Sequence, residues 1–141
     1  MGNRTPVQSI ALLVGAVFLL VGVLGFIPGI TTHYGDLSFA GHDSGAKLLG
    51  IFQVSILHNI VHLLFGIVGI ALAKTVSGAR NFLIGGGVVY LALWLLGIVG
   101  AGDWIPSNTA DTGLHFLVGI GMIGLGFVAG RTPVRGPVTA S

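Results

Sequence analysis

The chain has no cysteine and no glutamate, and only 7% of its 141 residues are charged. Without cysteine there is no disulfide, no thiolate metal ligand and no thiol nucleophile. Without glutamate, the helical zinc-protease motif cannot be written. Soluble domains carry about 25% charged residues, so this composition cannot build a water-facing surface. The six basic and four acidic residues are also dispersed along the chain. That scatter makes no nucleic-acid surface, and no nucleic-acid partner is expected. Gly85-Gly86-Gly87 lies in an apolar run and lacks the Lys-Ser/Thr that completes a phosphate-binding loop. No nucleophile elbow surrounds Ser55, although His58 shares its helical face.

What is abundant is apolar. Hydrophobic residues make up 53% of the chain, with 25 glycines spread largely through the apolar runs, and the mean hydropathy is +0.99. The chain reads as one integral membrane domain, 1–141, whose first partner is the lipid bilayer. A span needs roughly 20 apolar residues, and four segments qualify, at about 7–27, 48–73, 82–100 and 113–130. Pro28-Gly29 ends the first segment. Lys74 to Arg80 separates the second from the third, and Asp103, Pro106 and Ser107-Asn108 separate the third from the fourth. Arg4 ahead of the first segment could mark a signal peptide. The segment is long for that, and Pro28-Gly29-Ile30 is a poor cleavage site, so it is read as a span. The expected fold class is an all-α membrane protein, a bundle of four transmembrane helices.

The charges sort by side. Arg4, Lys74, Arg80, Arg131 and Arg135 fall on one side, and Asp36, Asp43, Asp103 and Asp111 on the other, with Lys47 as the single basic exception. The positive-inside rule then puts both termini in the cytoplasm of a bacterial plasma membrane, with the loops 28–47 and 101–112 outside. Trp104 and Tyr34 would sit at the outer interface.

The two helical hairpins look related. Gly15 to Gly25 can be laid on Gly87 to Gly97, with Phe18 opposite Tyr90. In the second halves Leu57-His58 falls on Leu114-His115, and a shift of four residues, which pairs His62 with His115, matches almost as well. A duplication would make the hairpins parallel repeats. In the first register His58 and His115 share one depth, each sixteen residues before a basic residue. At 1.5 Å per residue that is about 24 Å, in the outer half of a core about 30 Å thick.

The polar residues of the apolar segments form stripes. Ser55, His58, Asn59, His62, Gly66 and Gly69 follow helical spacing on the second segment. Asp111, His115, Gly119, Met122 and Gly126 do so on the fourth, and Tyr90, Trp94 and Gly97 could complete the contact. Such stripes face other helices rather than lipid. Ionisable residues at membrane depth are functional candidates, and three readings compete. In the first, the imidazoles hydrogen-bond between helices and lock the bundle, with no cofactor. In the second, His58, His62 and His115 hold haem, or with Asp111 a divalent metal; Asp111, one turn from His115, could also orient that ring. In the third, the histidines relay protons or sense pH.

The loop residues read more plainly. His33 and His42, near Asp36 and Asp43, are expected to be solvated. Asp43 and Lys47 could pair, with Asp43 or Ser44 as the cap, if the second helix starts early. Asn108 or Asp111 is expected to cap the fourth helix.

Three stretches carry a specific resemblance: Gly25-Phe-Ile-Pro-Gly-Ile-Thr-Thr-His-Tyr34, Leu37-Ser-Phe-Ala-Gly-His42 and Leu49-Gly-Ile-Phe-Gln-Val-Ser-Ile-Leu-His-Asn-Ile-Val-His-Leu-Leu64. With Pro106-Ser-Asn-Thr-Ala-Asp111 and Leu114-His115, they resemble the actinobacterial family catalogued as domain of unknown function 4383. The resemblance spans nearly the whole chain and includes loop residues. It implies a small four-span membrane protein and transfers no activity and no catalytic residue. The expected role is therefore non-enzymatic: an accessory or assembly component, as a homo-oligomer or as a subunit of a larger membrane complex. Glycines of the first and third segments (Gly15, Gly22, Gly25, Gly86, Gly97) would favour helix association.

Overall fold

The computed structural model describes residues 3–40, 44–99 and 108–131. His42, Asp43, Asp103, Trp104, Pro106 and Arg135 lie outside the described residues, and so do the readings that rest on them. The chain forms four helices, α1 Pro6–Leu24, α2 Ile56–Leu72, α3 Val76–Val99 and α4 Thr109–Ala129. Three of them, α1, α3 and α4, are long and apolar enough to cross a membrane, and α2 is a shorter apolar helix. The protein is thus a multi-pass membrane protein, mostly helical.

Local chemistry sets the helix ends. Pro6 takes the first helical position of α1, where a missing N–H costs nothing. Gln8 turns back to accept from the Thr5 amide at 3.0 Å, while its own amide donates to the carbonyls of Ala73 and Lys74 at the far end of α2. That bond ties the first hairpin shut at its basic end. At the same end the Arg80 guanidinium of α3 lies 5.7 Å from the centre of the Phe127 ring of α4.

The second helix corrects an expectation. The apolar run from residue 48 does not begin a helix: α2 starts at Ile56, and Ser55 caps it by accepting from the His58 amide at 3.1 Å. The residues ahead of it build a small antiparallel sheet of β1 Thr31–Thr32, β2 Lys47–Leu48 and β3 Phe52–Gln53, in the order β1-β2-β3. Lys47 is therefore on a strand, and Ser44 caps no helix; its hydroxyl donates to the Val54 carbonyl at 2.5 Å. The chain reverses at Leu49 and Gly50, both left-handed, with φ of 54° and 72°. A left-handed pair breaks any helix passing through it. Ala46, Leu48 and Val54 pack under the sheet against Val21, Leu24 and Ile30, so the sheet roofs the end of α1. With three strands of two residues each beside four helices, the fold stays mostly helical.

α1 packs chiefly on α2, and α3 on α4, giving two hairpins whose main contact is α1 against α3. The hairpins repeat one another in contact detail. A Cβ on Gly15 would lie 3.0 Å from the Ile70 nitrogen and 3.1 Å from the Gly66 carbonyl oxygen; a Cβ on Gly87 would lie 3.0 Å from the Ile123 nitrogen and 2.7 Å from the Gly119 oxygen. The crossing Gly15/Gly66/Ile70 thus recurs as Gly87/Gly119/Ile123. The caps recur as Ser55 and Asn108. Buried Val7, Ala11, Gly15 and Phe18 recur as buried Ala79, Leu83, Gly87 and Tyr90. These equivalences pair His62, not His58, with His115. The Leu-His pairing of the sequence is off by one helical turn, because glycine crossings and caps set the register and the dipeptide does not.

Candidate functional site

At the sheet end of the helices the polar residues stack in layers. The outermost layer begins with the α4 cap. Asn108 Oδ1 accepts from the Asp111 amide at 2.9 Å, and Asp111 Oδ2 accepts from the Asn108 amide at 3.0 Å, a reciprocal capping box. The same Oδ2 accepts from the Gln53 amide of β3 at 3.1 Å, and the Asn108 side-chain amide donates to the Ile51 carbonyl at 2.7 Å. Asp111 is only 3% exposed. The cap of α4 is therefore also the dock for the sheet, and it joins the loop of hairpin one to the start of hairpin two.

His58 sits in the first turn of α2, the position that Asp111 holds on α4. Its ring stands 4.1 Å from the His62 ring, centroid to centroid. Its Nδ1 is buried without a hydrogen-bond partner, and so is the Nδ2 of neighbouring Asn59, a residue 1% exposed. In hairpin two the matching side chains are satisfied: Asp111 by amides, and Thr112 by donating to the Asn108 carbonyl at 3.1 Å.

One turn further in lie His62 and His115. His62 Nδ1 is 2.9 Å from the His58 carbonyl oxygen, and its Nε2 is 3.0 Å from the Tyr90 hydroxyl. A carbonyl oxygen only accepts, so Nδ1 carries the proton and Nε2 accepts from the Tyr90 O–H. Both ring nitrogens are thereby used. Phe18 stacks on His62 at 5.6 Å, and Tyr90 meets His115 edge-on at 5.4 Å, as the repeat requires. Phe18 and Tyr90 approach each other at 5.3 Å. Below them Phe65, Phe82, Leu83 and Met122 make an apolar plug.

The sequence-derived candidates thus divide. His62 and His115 both touch Tyr90 and His58 touches His62, and Ser55, Asn59, His62, Asp111 and His115 are buried as the stripes require. Ser55 and Asn108 act as caps. Among the described residues, no three of His, Asp and Glu stand where they could hold one metal ion. His33 is a left-handed residue beside the 3-10 turn Tyr34–Asp36, apart from this cluster. Two contributors escaped the sequence reading. Phe18 carried a signal in its alignment with Tyr90. Gln53 carried none, since a backbone amide on an apolar run announces no partner.

A family model described as Domain of unknown function (DUF4383) matches residues 8–128. No curated protein and no solved structure matches the chain.

Proposed function

The chain belongs to the DUF4383 family, and from that premise we propose that it is a non-enzymatic accessory or assembly component of a bacterial plasma membrane, with four spans. The observation that carries the reading is the use made of the buried polar groups. His62 is committed to Tyr90 and to its own helix, Asp111 and Asn108 to the sheet dock, and Ser55 to a cap. These are joints between elements, not groups poised on a substrate. Arg4, Lys74, Arg80 and Arg131 lie at one end of the helices and Asp36, Lys47 and Asp111 at the other, which supports cytoplasmic termini. Gly85, Gly121 and Gly124 have open space where a Cβ would stand, and these faces support close approach by a second copy or a partner helix.

The test is purification from the native membrane, followed by mass determination, an absorption spectrum and elemental analysis. A partner or second copy in fixed ratio, in a colourless metal-free preparation, is the expected result. A lone monodisperse monomer would overturn the accessory reading. A Soret band or stoichiometric metal that vanishes in His58→Ala and His115→Ala would replace it with a haem or metal protein.

A second reading, pH sensing, is favoured by the unpartnered His58 Nδ1. The ring meets His62 on its own helix and feels His115 on α4, while His62 in turn meets Phe18 on α1 and Tyr90 on α3. Among the described residues, Asp111 is already occupied by amides, so a proton added to this cluster gains no ion pair from it. Thermal stability is then expected to fall as the pH drops below about 6.5, where the histidines of the unfolded chain take up protons, and to flatten in His58→Gln. A flat wild-type profile removes this reading.

A further inference from the structure

The two hairpins match in their caps and crossings but differ at the mouth. In hairpin one, Gly22 and Gly25 of α1 let α2 press directly on them. A Cβ on Gly22 would come 2.8 Å from Leu63 Cγ, and one on Gly25 would collide with the Asn59 amide. The equivalent residues of hairpin two are Trp94 for Gly22, Gly97 for Gly25, Thr112 for Asn59 and Phe116 for Leu63. Trp94 thus puts an indole where the other hairpin has a glycine. Its ring lies against Phe116 at 4.9 Å. Thr112 is too short to refill the space: a Cβ on Gly97 would meet only its Oγ1, at 3.6 Å.

The result is a groove of about 610 Å³ between the last turns of α3 and the first turns of α4. Its walls include Trp94, Gly97, Thr109, Thr112, Gly113 and Phe116. Ligand pockets run from about 300 to 1,000 Å³. On the same two helices Leu95, Ile98, Leu117 and Ile120 are large apolar side chains left exposed. In a membrane-spanning chain that surface meets acyl chains. Polarity runs along the groove: threonines at the helix ends, aromatic rings deeper in. The Trp94 indole N–H and the Thr109 hydroxyl make no hydrogen bond to another described residue. No described wall residue carries a formal charge.

We infer that this groove holds one glycerolipid from the adjacent bilayer leaflet. An acyl chain lies over Gly97 and Gly113 against Trp94 and Phe116, and an ester carbonyl accepts from the Trp94 N–H or the Thr109 O–H. Two donors without a cationic side chain suit the neutral ester region better than a phosphate. Indoles also settle at this interfacial level of membranes. The site goes beyond the accessory role and stands or falls separately from it, because it concerns lipid and not protein partners.

The test uses the full chain in mixed phosphatidylethanolamine–phosphatidylglycerol nanodiscs, transferred to detergent and read by native mass spectrometry. Wild type is expected to keep one lipid per chain after delipidation. Gly97→Leu fills the groove without meeting backbone, and is expected to weaken retention about tenfold, a loss of about 1.4 kcal/mol, at unchanged thermal stability. Gly121→Leu, on an open face of α4, is expected to retain the lipid. Thr109→Val removes a donor alone and guards against a folding defect in Gly97→Leu; it is expected to weaken retention several-fold. Equal retention by wild type, Gly97→Leu and Thr109→Val would overturn the proposal. So would loss of a dimer, rather than of lipid, in Gly97→Leu.

Discussion

Tyr90 donates its hydroxyl proton to Nε2 of His62 at 3.0 Å, and this bond crosses from one hairpin to the other. The far nitrogen of the same ring is tied to the His58 carbonyl, so the acceptor cannot turn away. Interhelical hydrogen bonds in membranes contribute about 0.6 kcal/mol on average and about 1.7 at most. Tyr90→Phe is expected to cost an amount in that range, with a matching coupling energy in a double-mutant cycle with His62→Phe. A coupling of zero would mean that the Tyr90 ring packed against Phe18 across the hairpins, not the bond, holds them.

The glycine crossings predict a paired sensitivity. A Cβ on Gly66 would stand 2.6 Å from the Leu19 nitrogen, and one on Gly119 would stand 2.9 Å from Leu91 and 3.0 Å from the Gly87 oxygen. Gly66→Ala and Gly119→Ala are each expected to destabilise by about 1–3 kcal/mol through overpacking. Gly121→Ala, facing open space, is expected to stay within about 0.5 kcal/mol. Thermal unfolding in detergent gives all three. Tolerance at Gly119 with intolerance at Gly66 would break the equivalence of the hairpins.

Asp111 holds two backbone amides with one oxygen. Asp111→Ala leaves both without that acceptor and is expected to cost about 1–3 kcal/mol. The local signature is faster hydrogen exchange at the Gln53 and Asn108 amides. Asp111→Asn keeps an oxygen and is expected to have the milder effect. Unchanged exchange at Gln53 in the alanine variant would show that the sheet stays docked without the carboxylate.

Leu49 sits at φ 54°, a region that penalises a leucine by about 1–2 kcal/mol. Asparagine tolerates it better, so Leu49→Asn is expected to gain up to about 1 kcal/mol. A loss instead would show that the exposed leucine makes a contact whose value exceeds the backbone strain.

Much of this was legible in the residues. The break at Pro28-Gly29 and the cap at Asn108 are local signals, and each marks a helix boundary close to its place, whereas most of the stretch read as a separator from Lys74 to Arg80 is helix, since α3 begins at Val76. The stripe through Ser55, Asn59, His62, Gly66 and Gly69 faces inward because its spacing puts it on one side of a helix. The run from residue 48 misled, because an apolar stretch reads alike as buried strand or helix. Only the left-handed Leu49-Gly50 reversal and the pairing of Lys47 with Gln53 settle it.

Composition alone made this a membrane protein, since a chain with 7% charge has no other way to satisfy its surface. Sequence alone also put polar side chains on inner faces and put histidines among them, because helical periodicity is a property of the chain itself. It did not decide which histidine answers which. That depended on Gly15 meeting Gly66 and Gly87 meeting Gly119, contacts between residues far apart in the chain. Those crossings moved the pairing from His58 to His62. They gave His62 its Tyr90 and left the His58 and Asn59 nitrogens without partners, because the distance between two packed backbones is set only when both helices are present.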